Sequence, residues 1–354
     1  MLDDWRHALV PHAVCALDHH LRVQRGEELV IVWDETVSRA LYEALRDAGS
    51  ALGVRVTAVT YEAVAYRPLK EYGVFAGRSL KGPIELPRPV SAVLAACDAF
   101  VLLCSDTELL FGEDIPRALE SGTRGLFMPY LDAANARRML FTTEREVSDQ
   151  AELIAAVGDR LEGSREVRVT SEEGTDLELR LGQHETLRRT GIVKPGELLF
   201  LPAGNVARVP DEGSANGVLV IDRTVCADDY KELHEPIELH IERGHVVAVE
   251  GGTEAKALRT FLRERRDERA YHLTELAVGT NPLCKFSGIG APSEDTHVLG
   301  TVSFALGCDT HLKGITPGPA HVDMTMRWPT LLVDDAPIVI DGRMAIPTPY
   351  DREP

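Results

Sequence analysis

The sequence predicts an α/β protein in two parts: an N-terminal doubly wound parallel-sheet domain, residues 1–163, followed by a β-rich α+β domain, residues 164–354. Three observations predict it. The chain has 354 residues, which at roughly 100–200 residues per domain suggests two. Its first 160 or so residues alternate short apolar runs with helix-period stretches, the pattern of right-handed crossovers feeding a parallel sheet. Beyond Glu166 the runs become strand-length and are interrupted by one clear helix.

Taken in order, Leu29–Trp33 reads as a strand, Val37–Gly49 as a helix and Val54–Thr60 as a β-branched strand. A helical Val90–Cys97 then feeds Ala99–Cys104, a run of buried-strand length. Ile115–Ser121 reads as helix, Gly125–Met128 as strand and Asp149–Leu161 as helix. No GxGxxG follows the first strand, where VIVWDETV stands, so a dinucleotide site has no support. In the second half, Val167–Thr170 and Asp176–Leu181 flank the turn sequence Glu-Glu-Gly-Thr and read as a hairpin. Glu197–Leu201, Gly217–Ile221, Ile237–Ile241 and His245–Glu250 read as strands, with Arg243-Gly244 turning between the last two. Thr253–Ala270 is the helix, with Ala257, Leu258, Phe261 and Leu262 on one face and charges opposite. Tyr271–Val278, Gly300–Leu306 and Ala320–Met326 complete the strand-like runs.

The chain is 44% apolar and carries a formal net charge of −18. An acidic excess of that size repels phosphate backbones and anionic lipid heads, so nucleic acid and membrane surfaces are not expected partners. No apolar run approaches the ~18 residues that span a bilayer. The N-terminus, MLDDWRHALVPHAV, lacks the basic and apolar regions of a signal peptide. Six scattered Cys without a CxxC pair suit a reduced cytoplasm and give no thiolate zinc site.

The sharpest local signal is Ala320-His321-Val322-Asp323-Met324. On a strand, alternate side chains share a face, so His321 and Asp323 present an imidazole and a carboxylate together, half of a divalent-metal site. His272 and Glu275 lie in a second run, YHLTEL. A spacing of three puts them on opposite faces of one strand unless a bulge intervenes. A third run, GTVSFALG, contains Ser303. Elsewhere, His19-His20 reads as the solvated face of an N-terminal helix, and His240 and Glu242 share a strand face without a third ligand. Asp334-Asp335 reads as a hairpin turn. Glu294-Asp295 falls in a loop, GIGAPSEDTH, able to cover a site. No GxSxG or Ser-His-Asp arrangement stands out.

The stretches LPAGNV, GSANGVLVID, IELHIERGHVVAVEGGTEA, LTELAVGTNP, GTVSFALG, AHVDMTM and PTLLVDD, in that order, resemble the thermophilic-aminopeptidase family (aminopeptidase T and its relatives) from Gly196 to Gly342. That family surrounds two metal ions with carboxylates and histidines. Here Asn205 stands where its first Glu belongs and Ser303 replaces a histidine, while Glu275, His321 and Asp323 remain. Two metals about 3.5–4 Å apart need ligands on both sides to offset their repulsion, and these replacements remove that compensation.

A second branch, the non-haem iron 2,5-dihydroxypyridine 5,6-dioxygenase family, is similar through GTDLELRLGQ, EGGTEAKAL and the turn at Gly300–Gly307. This resemblance implies one Fe(II) held by His272, His321 and Asp323 as a facial triad, with a small aromatic or heteroaromatic diol and O₂ as substrates and ring cleavage as the reaction. With that iron in place, Glu275 is expected to orient a ligand or an iron-bound water and Ser303 to hydrogen-bond the substrate. Glu275 departs from that branch, which carries a non-acidic residue there. A distal acid/base histidine has no equivalent: Cys104-Ser105-Asp106 occupies the nearby region. His184, after LGQ, reads as a pocket residue or a surface one. The resemblance also implies a homo-oligomer. The rival expectations are a residual metallo-aminopeptidase and a catalytically silent metal-binding member.

Overall fold

In a computed structural model, residues 2–35, 37–61, 86–104, 109, 112–129, 131–226, 230–286 and 292–351 are described. Ser105, Asp106 and the Gly288–Ala291 part of the expected covering loop lie outside them. The chain divides into two compact units. The first comprises the described residues up to Ala151 together with Arg189–Ala203, and the second Glu152–Arg188 with Gly204 onward.

In the first unit, β1 (Glu28–Trp33), β2 (Arg55–Thr60), β3 (Ala99–Leu103) and β4 (Arg124–Phe127) pair in parallel, in the order β2-β1-β3-β4. β3 is buried throughout, which is why Ala99-Phe-Val-Leu-Leu is an unbroken apolar run rather than an alternating one. The helix Arg39–Leu52 begins where the Ser38 hydroxyl accepts from the Leu41 N–H and ends at Gly53, whose φ of 78° closes the last turn. It buries Leu41, Ala44, Leu45 and Ala48, one stripe at helical spacing.

Two expectations are corrected in this unit. Glu197–Leu201, read as a strand of the β-rich half, is β8 (Leu198–Phe200) and joins the parallel sheet beside β4. Gly125 permits this: a Cβ there would sit 2.6 Å from Leu198 Cδ1 and 2.5 Å from Phe100 Cζ. By contacts, residues 152–188 group with the second unit and 189–203 with the first.

The second correction concerns His20. It lies in a π-helical turn, Ala16–His20, is 2% exposed, and its Nδ1 lies 2.8 Å from the Gly191 carbonyl. Burial pushes its pKa down to about 4, outweighing the Gly191 carbonyl, which favours the charged ring. Relative to an unfolded histidine near 6.5, the neutral ring contributes stability fully present above pH 6.5 and lost as pH falls through 4, amounting to about 3 kcal/mol. Chemical denaturation of the wild type and His20→Asn across pH 4–7 checks this. The wild type is expected to lose stability more steeply than the variant in that window, and parallel curves would refute the assignment.

The second unit holds two antiparallel sheets. One contains β5 (Glu166–Thr170), β6 (Asp176–Arg180), β10 (Asn216–Ile221), β13 (Ile237–Glu242), β14 (His245–Gly251), β18 (Thr330–Val333), β19 (Ala336–Ile340) and β20 (Arg343–Met344), ordered β14-β13-β10-β6-β5-β18-β19-β20. β5 and β6 form the expected hairpin, and Asp334 and Asp335 turn between β18 and β19 with φ of 48° and 63°. The other contains β7 (Leu187–Arg188), β9 (Asn205–Arg208), β11 (Thr224–Cys226), β12 (Tyr230–Glu232), β15 (Leu273–Gly279), β16 (Val302–Gly307) and β17 (His321–Met326), ordered β12-β11-β17-β16-β15-β9-β7. The expected long helix is Thr253–Glu264, followed by a separate 3₁₀ turn, Glu268–Tyr271.

One buried cluster joins these elements. Leu276, Val278, Phe304, Leu306, Val322 and Met324 of the second sheet pack with Leu177, Leu219 and Leu239 of the first and with Leu258 and Phe261 of the helix. Each central strand of the β15–β17 group thereby spends alternate residues on the hydrophobic core. The intervening residues are free to carry chemistry on the opposite face.

Candidate metal centre

Register assigns that opposite face. Glu275 pairs with Ala305, and Ala305 with Asp323; Ala277 pairs with Ser303, and Ser303 with Thr325; Gly307 pairs with His321. Directly opposed residues in an antiparallel ladder share a face. Glu275, Ser303, His321, Asp323 and Thr325 therefore share one face of the sheet with Ala277, Ala305 and Gly307.

Glu275 reaches this face through a bulge. Leu273 pairs with Leu306 and Glu275 with the adjacent Ala305, so the register shifts between them. The extra residue, Thr274, is buried and its hydroxyl donates to the Ala305 carbonyl at 3.2 Å. Without the bulge, Glu275 would share Leu273's face and point into the core. With it, the carboxylate is turned toward His321.

Glu275, His321 and Asp323 each offer a ligand atom, and these atoms lie within 4.8 Å of one another. His321 Nε2 is 3.1 Å from Asp323 Oδ1 and 3.4 Å from Glu275 Oε2. Its Nδ1 donates to the Cys308 carbonyl at 2.7 Å, which fixes the ring and directs Nε2 at the two carboxylates. His321 is 1% exposed. Burial alone lowers its pKa, but Asp323 and then Glu275 raise it further, and the net result is about 10. The pocket is thus built to hold positive charge at the point where the three side chains meet.

His272 is not a member of this cluster, contrary to the ligand set the resemblance implied. It lies just before β15, where it bridges His245, and its ring packs edge-on against the His245 ring with centroids 4.0 Å apart. Burial and the neighbouring His245 imidazole lower its pKa, which favours the neutral ring. The structure brings together two of the three implied ligands and supplies Glu275 in place of the third. The bulge explains the exchange, since it turns Glu275 onto the face of His321 and Asp323.

Ser303 is where the sequence placed it, buried two residues along β16 from Ala305. Among the described residues its hydroxyl has no hydrogen-bond partner. The rung it occupies continues into Thr325, whose hydroxyl meets that of Thr224 on β11. Sequence reasoning missed this pair of threonines, because only the ladder register places them beside the carboxylates. Asn205, at the position of the aminopeptidase Glu, is buried on β9 opposite Gly279.

The remaining candidates are not members of the three-residue cluster. His184 pairs with Glu212 at 2.9 Å. Glu294 and Asp295 are fully buried at the end of a short helix, Pro292–Asp295, where a loop was expected. His240 and Glu242 share the outer face of β13, as alternation requires, but the groups gathered at His240 are Glu238, 2.9 Å away, and Glu250, 3.8 Å away, against the expectation that no further ligand lies near it.

Comparison with known proteins extends the resemblance over both halves of the chain. A profile of the NicX family, 2,5-dihydroxypyridine 5,6-dioxygenase, matches residues 15–346. The chain is 25% identical over 321 residues to the 2,5-dihydroxypyridine 5,6-dioxygenase of Pseudomonas putida KT2440, covering 88% of this chain and 87% of that protein. A solved structure of 2,5-dihydroxypyridine dioxygenase from Pseudomonas putida KT2440 superposes with a TM-score of 0.80 at 22% identity, covering 98% of each chain. AmpT from Thermus thermophilus superposes with a TM-score of 0.66 at 17% identity, covering 97% of this chain and all of that one. Both structures share the two-part fold of this protein, and the profile match extends across nearly its whole length: the chain belongs to the 2,5-dihydroxypyridine 5,6-dioxygenase family.

Proposed function

We propose that this protein is a metal-dependent dioxygenase that cleaves the ring of a small aromatic or heteroaromatic diol. The observation that carries this reading is the buried convergence of Glu275, His321 and Asp323 in a chain of the dioxygenase family. The three residues fit a divalent ion: one imidazole with its tautomer fixed by a carbonyl, and two carboxylates beside it. Fe(II) is the ion the family resemblance supports, and when bound it supplies the one-electron chemistry that lets a spin-paired aromatic ring react with O₂.

The chain's own residues do the rest. The Cys308 carbonyl keeps His321 oriented. Ser303, two residues along the strand from the metal rung, donates a hydrogen bond to a substrate oxygen. Ser303→Ala is expected to raise KM for 2,5-dihydroxypyridine about 3–10-fold with kcat little changed, the cost of one neutral hydrogen bond. An unchanged KM in steady-state kinetics would remove Ser303 from the substrate site.

A residual aminopeptidase has less support, because Asn205 and Ser303 supply neither the carboxylate nor the imidazole that a second metal needs. The test is anaerobic reconstitution of metal-free protein with Fe(II) or Zn(II), followed by a metal count and O₂ uptake on a panel of dihydroxypyridines and catechols. One iron per chain with O₂ consumption is expected. Two zinc ions per chain with leucyl-amide hydrolysis would overturn the reading. The six free, buried thiols suit action in the cytoplasm, and light scattering measures the homo-oligomer that the resemblance implies.

A further inference from the structure

The ligand cluster has a composition that bears on which ion it selects. Two of its three donors are carboxylate oxygens, and the only nitrogen donor is His321 Nε2. Glu275 is 7% exposed at its side chain, and its ion-pair partner is His321. Among the described residues no Lys or Arg pairs with it. A buried carboxylate in that position strongly favours a cation beside it. The bulge at Thr274 is the local feature that brings this carboxylate, rather than an apolar neighbour, to the site.

Oxygen donors are hard ligands. They favour Mn(II) and Fe(II) relative to an imidazole-rich site, which favours Zn(II) and other borderline ions. Two carboxylates also neutralise a divalent ion fully, where two imidazoles and one carboxylate leave a net positive centre. Resting on the metal site proposed above, we propose that Glu275 is a direct ligand and that it biases this centre toward hard divalent ions, so that an imidazole at position 275 would shift its preference toward Zn(II).

The experiment is equilibrium competition of Mn(II) and Zn(II), each against a chelating dye, for the metal-free wild type, Glu275→His and Glu275→Gln, with circular dichroism confirming that each variant is folded. Mn(II) loading is read independently by electron paramagnetic resonance. The expected result is that Glu275→His raises the Zn(II)-over-Mn(II) affinity ratio by about tenfold or more, and that Glu275→Gln weakens Mn(II) binding by a similar factor. A ratio unchanged within about threefold in Glu275→His, or Mn(II) binding unchanged in Glu275→Gln, would overturn the inference while leaving a metal site at His321 and Asp323 intact. Should His321→Ala and Asp323→Asn also leave metal binding untouched, the site itself is elsewhere and the functional reading falls with it.

Discussion

His321→Ala is expected to remove bound metal and to lower O₂ uptake with 2,5-dihydroxypyridine by a factor on the order of 10³ or more, while His272→Ala changes metal content little. Changing a residue that merely supports a ligand typically costs about 10–100-fold, so removing the cluster's only imidazole costs more. The contrast between the two histidines is the informative part. His321 opens β17 and His272 precedes β15 of the same sheet, and the resemblance implied both as ligands. The structure places one between two carboxylates and the other against His245. Metal analysis of the two purified variants, with activity measured after reloading, decides between them. Loss of metal in His272→Ala with retention in His321→Ala would reverse the assignment. His321 is also fully buried, so the alanine variant needs a folding control. His321→Gln retains most of the side-chain volume and is expected to lose the metal as well.

Gly307→Ala is expected to destabilise the protein by roughly 2–4 kcal/mol and to weaken metal binding at the same time. Gly307 has a φ of 100°, where an L side chain is strained, and a Cβ there would stand 2.1 Å from the Ala320 carbonyl oxygen. That oxygen accepts the Cys308 N–H at 2.6 Å, and the Cys308 carbonyl in turn accepts from His321. A methyl group at 307 must therefore push β16 and β17 apart where they hold the imidazole. Thermal unfolding with and without metal separates the two effects. A variant as stable as wild type, or one that loses stability but keeps its metal affinity, would show that the close approach at Gly307 does not position His321. A glycine at 307 is thus part of the site although it offers no ligand atom.

The His-x-Asp pair was legible because alternation along a strand is a local rule: once Ala320–Met326 is extended, His321 and Asp323 must share a face. The same rule failed for Glu275. Its face depends on a bulge, which changes the count by one residue and leaves little mark in composition. The sequence named the bulge as the condition for Glu275 to change faces, but only the pairing of Leu273 with Leu306 and Glu275 with Ala305 shows that it is met. His20 was misread for a related reason. An amphipathic pattern assigns a face within a helix, but the π-helical turn after Cys15 rotates His20 out of that pattern and into contact with the Gly191 carbonyl.

By itself the sequence determined the class of fold, the parallel and antiparallel character of its two parts, and two of the three residues that converge in the candidate site. These follow from periodicity and turn chemistry, which act over a few residues. Tertiary structure decided what depends on pairing between distant segments: that β8 returns to the first sheet, that Thr325 and Thr224 meet, that His272 turns to His245, and that a glutamate completes the cluster. Register is a property of two strands at once, and no single run of residues contains it.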